Sequence, residues 1–453
     1  MESNQLFCYK LKFKVLIKSV VYIETYGCQM NFSDSEIVAS ILTENDYEIT
    51  KDINCANIIF INTCSIRDNA EQRVKNRLIE LRTIKKNRPK TIIGVLGCMA
   101  ERLKEQLMED EKIVDLVAGP DSYRTLPNLI NIVSDGLKGI NTELSIEETY
   151  SEITPVRYNS NGVSAFISIM RGCENMCSYC VVPYTRGKER SRNFNSIINE
   201  VKILVSKGYK EITLLGQNVN SYKYEDVNFA KLLNIIAKID ETIRIRFATS
   251  HPKDLSNELI DTIALHPNIC KSIHLPVQSG SNHILKLMNR VYDREWYLER
   301  IRKIKSTIPD CTISTDIISG FCGETEQDHL DTLSIMKEVG YEFAYMFKYS
   351  ERDNTYAFKH LKDDVPEIEK IRRLNEVIKL QQELSLNSNK KDIGKIYKVL
   401  ADSISKRSAT HLSGRTEFNK VVIFEKQFNN IGDYVMVEIT ECSSATLKGK
   451  LVN

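Results

Sequence analysis

The sequence predicts an α/β protein of three units: an open parallel α/β domain, a six-unit βα partial barrel, and a small antiparallel β-barrel of the OB type. Two observations lead to this prediction. Apolar strand-like runs alternate with helix-like stretches to about residue 385, and the chain then changes to short alternating strands separated by Gly and Asn turns. Its 453 residues, 42% hydrophobic and 27% charged, give enough apolar material for about three folded domains and exclude a disordered chain.

The first unit is predicted over residues 20–135, after an N-terminal extension at residues 1–19. Four lysines interrupt the apolar residues of this extension, so it lacks the core of a signal peptide. The unit contains four apolar runs, each followed by a helix-like stretch: VVYIETYG, ANIIFINT, TIIGVLG and VDLVAG. Strands that alternate with helices predict a parallel sheet. Residues 136–162 are polar and are predicted to form a linker.

The second unit, residues 163–385, contains six strand candidates, each followed by a helix-like segment. Six such units predict a partial barrel with its active face at the carboxyl ends of the strands. The third unit, residues 386–453, has five short strand candidates, which predict a small barrel. It carries 11 Lys and Arg and 7 Asp and Glu, so its net charge is +4, whereas the rest of the chain sums to −2. Basic surface is therefore expected mainly on the third unit.

Cysteine use is the most informative part of the composition. No apolar run approaches the roughly 20 residues needed to span a membrane, and we expect a cytoplasmic protein. Twelve cysteines in that compartment favour metal or catalytic use over disulfides. Cys173, Cys177 and Cys180, the barrel triad, follow the first barrel strand with C-x3-C-x2-C spacing. Three thiolates can hold three irons of a four-iron cluster and leave one iron open, whereas structural zinc usually requires a fourth ligand.

A second group of cysteines is recognised only through the predicted sheet. Cys28, Cys64 and Cys98, the N-terminal triad, each follow a different strand of the first unit. The carboxyl ends of parallel strands share one edge, so these thiols are predicted to converge on a second cluster site. A buried core cysteine is the alternative for any one of them. Core positions are expected for Cys55, Cys270, Cys311 and Cys442, which lack partners at ligand spacing, and Cys8 lies in the N-terminal extension. Cys322 is expected either in the core or at the active face.

These motifs resemble the radical S-adenosylmethionine methylthiotransferases over nearly the whole chain after the extension. The resemblance rests on TYGCQMN, INTCSIRDNAEQR, GVLGCMAER and RGCENMCSYCVVPYTRGKERSR, with LLGQNVNSY, ATSHP, HLPVQSGSNHILKLMNR and TDIISGFCGET. It implies an N-terminal cluster domain, a radical barrel and a C-terminal TRAM domain. Cys322 departs from the family, which more often has proline in FPGE, and the N-terminal extension is longer than usual.

The resemblance also implies a reaction. HLPVQSGS and GRTEFNKVVIF are similar to the branch that methylthiolates carbon 2 of isopentenylated adenosine beside a tRNA anticodon. Sister branches modify a threonylcarbamoyl adenosine or a ribosomal-protein aspartate and share all six cysteines. In such enzymes, one [4Fe-4S] cluster binds S-adenosylmethionine and yields a 5′-deoxyadenosyl radical. The second cluster carries sulfur that another S-adenosylmethionine methylates. The first sheet's edge is therefore expected to dock over the barrel mouth.

Polar residues at barrel strand ends are candidates to bind S-adenosylmethionine through amide, hydroxyl and carboxylate groups. They are Gln217, Asn218, Thr249, Ser250, Gln278 and Asp316. Helix capping and core hydrogen bonding are equally good interpretations of any single one. Basic residues that could contact RNA phosphates lie near the barrel mouth and in the third unit: Arg186, Arg190, Arg192, Lys406, Arg407, Arg415 and Lys420. A solvated charged surface is the alternative for each.

The expected partners are a tRNA anticodon stem-loop, a flavodoxin- or ferredoxin-like electron donor, and a supplier of clusters or sulfur. A monomer is expected because no heptad pattern or exposed apolar stripe requires a partner. A rival from another class is a non-catalytic zinc or iron–sulfur protein that binds RNA. The six-unit barrel argues against it, and no single residue is assigned here as a catalytic acid or base.

Overall fold

The computed structural model describes residues 19–65, 68–158 and 160–452. The predicted extension up to residue 18, including Cys8, lies outside the described residues. Within them, no helix is both long enough and apolar enough to cross a membrane.

The first unit is a parallel six-stranded sheet with the order β2-β1-β3-β4-β5-β6. Its strands are β1 Val20–Thr25, β2 Glu48–Thr50, β3 Ile58–Thr63, β4 Ile92–Gly97, β5 Leu116–Ala118 and β6 Gly139–Asn141. Its helices are α1 Gln29–Glu44, α2 Asp68–Asn87, α3 Cys98–Leu103, α4 Glu105–Asp110 and α5 Leu126–Ser134. The central strands β3 and β4 are buried along their whole length, as expected for strands covered on both faces.

The predicted linker is partly structured. Gly139–Asn141 forms the edge strand β6, and Tyr150 and Ile153 are buried in the core of the first unit. A strand of three residues in a polar segment leaves no period in the sequence, so only long-range packing reveals it.

The second unit is the expected partial barrel, made of two three-stranded parallel sheets joined by a bridge between Ile245 and Ile269. The barrel strands are β7 Ser164–Ser168, β10 Glu211–Leu215, β13 Arg244–Ala248, β14 Ser272–His274, β15 Thr312–Ser319 and β16 Phe343–Lys348. Two short antiparallel ribbons extend the loops: β8 Met170–Arg171 with β9 Arg190–Ser191, and β11 Lys223–Tyr224 with β12 Val227–Asn228. One apolar core lies between the barrel strands and their helices.

The helices of the second unit follow the strands in the order expected for βα units. They are α6 Val182–Arg186, α7 Phe194–Ser206, α8 Phe229–Ala237, α9 Asn257–Leu265, α10 Asn282–Leu287, α11 Arg294–Thr307, α12 Glu326–Val339, α13 Tyr356–His360 and α14 Glu367–Lys390. Side-chain caps begin several of them; Thr325 and Asp328, for example, form a reciprocal capping box at α12.

The third unit is a closed five-stranded barrel with the order β17-β18-β19-β21-β20. Its strands are β17 Ile396–Ile404, β18 His411–Arg415, β19 Val421–Glu425, β20 Tyr434–Cys442 and β21 Leu447–Leu451. It docks on the amino ends of the second unit's strands: Arg244, the first residue of β13, donates to the carbonyls of Lys398 and Arg415. The third unit therefore lies at the end of the partial barrel opposite the barrel triad.

Candidate functional site

The barrel triad lies on a tight loop between β8 and α6. The Cys173 N–H donates to the Gly187 carbonyl (3.1 Å), and the Cys180 N–H donates to the Cys177 carbonyl (2.9 Å). Gly172 precedes the loop with φ +79°, and a Cβ there would lie 1.9 Å from the Lys188 carbonyl oxygen. Only glycine fits where these two backbone segments approach each other, so the loop conformation is fixed by the backbone before any metal binds.

Nitrogen donors point at two of the three thiols of this loop. Arg290 Nη1 lies 3.3 Å from Cys177 Sγ, and Asn175 Nδ2 lies 3.4 Å from Cys173 Sγ. Arg290 is buried and held by the Pro276 carbonyl. Burial raises the pKa of Cys173 to about 11 and also raises the pKa of Cys180. Such thiols lose their protons when a metal binds, so these donors favour the metal-bound form.

The N-terminal triad lies at the carboxyl edge of the first sheet, as predicted from the strand positions. Cys28 precedes α1, Cys64 directly follows β3, and Cys98 begins α3. A hydrogen bond with Cys64 is the main cause that lowers the pKa of Cys28 to about 6. Burial raises the pKa of Cys98, and the Arg186 guanidinium opposes this effect. Cys28 is therefore in contact with Cys64, and Cys98 is in contact with Arg186.

Two glycines make room for this convergence. Gly27 has φ +124°, and a Cβ there would lie 2.4 Å from Cys64 Cβ. Gly97 has φ +90°, and a Cβ there would lie 2.4 Å from Asn62 Oδ1 and 2.6 Å from the Thr63 carbonyl oxygen. The amide of Asn31 spans the same space, since its Nδ2 donates to the Thr63 carbonyl (3.0 Å). Close backbone approach thus sets the spacing of the thiols.

We expect Gly97→Ala to reduce iron bound at the N-terminal triad while the barrel triad keeps its iron. The positive φ costs a non-glycine residue about 1–3 kcal/mol, and the clash adds to this. Gly136→Ala is the matched control, because Gly136 has the same φ of +90° with nothing within 4 Å. Iron analysis and thermal melting of both variants check the prediction. Equal iron contents in the two variants would contradict it.

The helix α6, which follows the barrel triad, connects the two triads. Arg186, at the end of α6, places Nε 3.2 Å from Cys98 Sγ and Nη2 2.7 Å from Asp34 Oδ2. Arg171 Nη1 lies 2.9 Å from the other Asp34 oxygen. On the far side, Arg102 of α3 reaches Asp353 of the second unit (3.1 Å). The cysteine edge of the first sheet therefore docks at the barrel mouth, as predicted.

The donor chemistry of both triads fits iron–sulfur clusters. Among residues 19–65, 68–158 and 160–452, no three His, Cys, Asp or Glu side chains are close enough to hold one metal ion. Thiolates of a four-iron cluster bind separate irons, so they need not converge on one point as the ligands of a zinc ion do. In both triads a buried guanidinium lies against a thiol sulfur, a contact that fits the anionic ligands of an iron–sulfur cluster.

Two of the residues predicted to bind S-adenosylmethionine are engaged in other contacts. Gln217 Oε1 accepts the Gly172 N–H (2.6 Å) and so supports the cysteine loop. Asn218 is buried; it donates to Asp254 (2.6 Å) and accepts the His251 N–H (3.0 Å). Both side chains thus organise strand-end loops, which is the alternative interpretation given above.

The other four lie at the carboxyl ends of barrel strands or, for Asp316, within β15. Thr249 is exposed with φ +71°, and Gln278 has φ +72°, a conformation that non-glycine residues adopt at a cost of about 1–3 kcal/mol. Ser250 has a buried hydroxyl without a hydrogen-bond partner. Asp316 faces the lumen, with Oδ1 3.3 Å from His274 Nε2. Strained strand ends and an unpaired hydroxyl are features of ligand sites.

The structure contradicts the prediction that Arg186, Arg190 and Arg192 contact RNA. All three are buried, between 3% and 6% exposed. Arg186 pairs with Asp34, Arg190 with Asp121 and Arg192 with Glu200. Their guanidiniums are withdrawn from solvent into ion pairs, so phosphate cannot reach them.

The four residues of the third unit that are predicted to contact RNA differ in their exposure and contacts. Lys406 and Arg407 are exposed and free to meet phosphate. Arg415 is partly exposed and lies 3.0 Å from Asn419 Oδ1. Lys420 lies 2.6 Å from Asp392 Oδ2, which holds the third unit against the end of α14 and contradicts a free RNA contact. Lys406 and Arg407 are thus the better candidates.

Cysteines outside the triads follow the core expectation except at Cys55. Cys270 and Cys311 are buried, Cys442 is partly buried and Cys55 is exposed. Cys322 is buried with Phe321, Tyr349 and Met288, in a cluster that packs behind the cysteine loop. The cysteine that replaces the family's proline therefore lies in the core.

Sequence reasoning missed the buried partners of the thiols. Asp34, Asn31 and Arg290 were not assigned any role, although Arg290 lies within HLPVQSGSNHILKLMNR. That motif was the available signal for Arg290. Asp34 has no local signal, because its partners Arg171 and Arg186 lie more than 130 residues away.

Three family models match the chain. The Uncharacterized protein family UPF0004 matches residues 20–119, the Radical SAM superfamily residues 167–336, and the TRAM domain residues 390–452.

Curated relatives match nearly the full length. Proteins named tRNA-2-methylthio-N(6)-dimethylallyladenosine synthase are 58% identical in Bacteroides fragilis, over 95% of both chains, and 57% identical in Chloroherpeton thalassium, over 95% of this chain and 96% of the relative. Among solved structures, the radical S-adenosylmethionine methyltransferase TsrM from Kitasatospora setae aligns with a TM-score of 0.56 and 12% identity, over 73% of each chain. At that identity the structural likeness concerns the fold alone.

Proposed function

Because this chain belongs to the tRNA-2-methylthio-N(6)-dimethylallyladenosine synthases, the MiaB family of radical S-adenosylmethionine enzymes, we propose that its two cysteine triads divide the work of that reaction. The enzyme converts isopentenylated adenosine of tRNA to its 2-methylthio derivative. The observation that supports this division is the position of Arg186. It lies at the end of α6, six residues after Cys180, and its Nε contacts Cys98 Sγ. Both triads therefore border one region at the barrel mouth.

The chemistry requires a cofactor because the C–H bond at carbon 2 of adenine is too inert for acid–base sulfur insertion. When bound, a cluster at the barrel triad supplies the electron that cleaves S-adenosylmethionine, and a cluster at the N-terminal triad supplies sulfur. Radical S-adenosylmethionine enzymes of this superfamily use a [4Fe-4S] cluster and S-adenosylmethionine. The second cluster is our proposal, and its support is the three thiols at one sheet edge.

The chain's own residues position these groups. Cys173, Cys177 and Cys180 are the proposed ligands of the first cluster, and Arg290 donates to Cys177. Thr249, Ser250, Gln278 and Asp316 are the proposed contacts for S-adenosylmethionine, because they lie at the mouth or lumen beside that loop. Gln217 and Asn218 are proposed to act indirectly, because their hydrogen bonds fix the loops at the strand ends.

The proposed ligands of the second cluster are Cys28, Cys64 and Cys98. Their support is the buried guanidinium beside them, since Arg186 Nε donates to Cys98 Sγ (3.2 Å). The Cys28 thiol donates to Asn31 Oδ1 (3.1 Å). A site that places two buried thiols and one partly buried thiol beside a cation favours an anionic occupant. A sulfur-bearing cluster is such an occupant.

The RNA substrate is a tRNA, and the TRAM domain is the unit expected to hold its backbone. Lys406 and Arg407 are the proposed phosphate contacts. Because the third unit docks on the amino ends of the barrel strands, such contacts would hold RNA at a distance from the target base. Phosphate contacts of this kind position the RNA without reading its sequence.

The other partners are proposed by their chemical class, together with an oligomeric state and a location. We propose a flavodoxin- or ferredoxin-like electron donor, a supplier of clusters or sulfur, a monomeric enzyme and a cytoplasmic location where thiols stay reduced. Threonylcarbamoyl adenosine and a ribosomal-protein aspartate are less favoured substrates, since the curated relatives are named for dimethylallyladenosine.

An anaerobic assay tests the substrate. The reconstituted protein receives dithionite, S-adenosylmethionine, sulfide and an anticodon stem-loop that is unmodified, isopentenylated or threonylcarbamoylated. We expect 2-methylthio product, measured by mass spectrometry, only on the isopentenylated RNA. Product on threonylcarbamoyl RNA, or on the unmodified stem-loop at equal rate, would contradict the substrate assignment.

A further inference from the structure

Arg186 has an environment that ion pairing alone does not explain. Its side chain is buried; Nη2 is 2.7 Å from Asp34 Oδ2, and Nε is 3.2 Å from Cys98 Sγ. Its Nη1 is buried and has no hydrogen-bond partner. An unpaired buried N–H of a charged group is costly, so a ligand that accepts from it is expected.

The charge of the surrounding network is not balanced by its carboxylates. Asp34 and Asp121 face three guanidiniums, those of Arg171, Arg186 and Arg190. The nearby Glu101 carboxylate has its own cation, Lys104, at 3.6 Å. One positive charge is therefore left in a buried interface, where an uncompensated charge is strongly unfavourable.

A deprotonated thiol of the N-terminal triad would supply the missing negative charge. Among the contacts of Arg186, Cys98 Sγ is the acceptor not shared with the carboxylate network. Arg171 and Arg190 also have a buried Nε without a partner. Of these three guanidiniums, Arg186 is the one that contacts a thiol of the N-terminal triad.

We infer that Arg186 is the positioning residue of the N-terminal triad: it stabilises the anionic, metal-bound form of these thiols and donates Nη1 to an anionic sulfur ligand held there. The inference rests on the proposed second cluster. Arg186 belongs to the second unit, whereas the triad belongs to the first. The charge at the sulfur site therefore depends on the docking of the two units.

The test isolates the N-terminal triad by using full-length protein in which Cys173, Cys177 and Cys180 are all replaced by Ala. Arg186→Gln, Arg186→Lys and the control Arg190→Gln are built in this parent. Arg190 is the matched control because it is buried in the same network and pairs with Asp121. Its contact with Arg186 is to the backbone carbonyl (2.9 Å), and it contacts no cysteine of the triad. The readouts are iron affinity, by chelator competition, and the reduction potential, by titration followed by electron paramagnetic resonance.

We expect Arg186→Gln to lower iron affinity about 10- to 100-fold, the usual effect of losing a hydrogen-bond partner of a metal ligand. Its potential should fall, because the reduced cluster loses a nearby positive charge. Arg186→Lys, which keeps the charge, should lie between Arg186→Gln and the parent, and Arg190→Gln should match the parent.

Three results would overturn the inference, and they are distinguishable. A parent protein that binds no iron would overturn the second cluster and the role of Arg186 together. Iron binding with unchanged affinity and potential in both Arg186 variants would overturn the role of Arg186 alone. An equal loss in Arg190→Gln would show that domain docking, and not the thiol contact, is responsible. Thermal melting identifies a variant that fails to fold. If Arg186→Gln fails to fold, the iron affinity and reduction potential of Arg186→Lys test the inference.

Discussion

Replacement of Cys177 by Ala abolishes reductive cleavage of S-adenosylmethionine, with a loss of more than about a thousand-fold in 5′-deoxyadenosine formation. The reason is that radical formation comes entirely from the cofactor, and the protein contributes only its binding and orientation. Cys177 is one of three thiols on a loop fixed by Gly172, and it is the one that Arg290 contacts. Anaerobic chromatography of the reaction products measures the effect.

The matched control is Cys270→Ala, which removes a buried thiol from the same unit far from the loop. It should cost only the modest stability of a small core substitution, about 1 kcal/mol, and leave cleavage intact. Cleavage that survives Cys177→Ala, or that fails equally in Cys270→Ala, would contradict the assignment of the barrel triad.

Replacement of Cys98 by Ala has the opposite pattern. We expect 5′-deoxyadenosine to form while 2-methylthio product falls below detection, because the sulfur-carrying site is lost and the barrel loop is untouched. Cys98 begins α3, and its Sγ accepts a hydrogen bond from Arg186 of α6. Products from an isopentenylated stem-loop are measured in the same reaction by mass spectrometry.

Cys55→Ala is the control for this variant, since Cys55 is an exposed cysteine of the same unit. It should leave both products unchanged. Formation of 2-methylthio product by Cys98→Ala would show that sulfur comes from elsewhere. Loss of both products would show that the two triads do not act separately.

The sequence predicts the architecture well because periodicity and strand order are local properties. Six βα units and a five-strand tail are visible as patterns, and the N-terminal triad follows from the rule that parallel strands end at one edge. The strand Gly139–Asn141 is not predicted, because three residues in a polar segment show no hydrophobic period.

Burial of charge is what the sequence does not reveal. Arg186 and Arg190 lie in the basic run RGKERSR, and a basic run predicts a solvated surface. Their burial depends on Asp34 and Asp121, which belong to the other domain. Lys420 is withdrawn in the same way by Asp392. Long-range ion pairs of this kind have no local signature.

Strand-end polar residues show a related limit. Gln217 and Asn218 were predicted as ligand contacts from their position alone, and both bind backbone groups of neighbouring loops. Thr249 and Gln278 have positive φ angles, which no composition or period indicates. Position in a strand therefore identifies the region of a site, whereas the role of each side chain requires the fold.

The central claim is that two separate triads each hold a cluster, and iron counting with Mössbauer spectroscopy tests it most directly. The measurement compares the reconstituted wild type with two variants, one lacking Cys28, Cys64 and Cys98 and the other lacking Cys173, Cys177 and Cys180. We expect about eight irons per chain in the wild type and about four in each variant, all as four-iron clusters. Four irons in the wild type, with none left after loss of the barrel triad, would contradict the account.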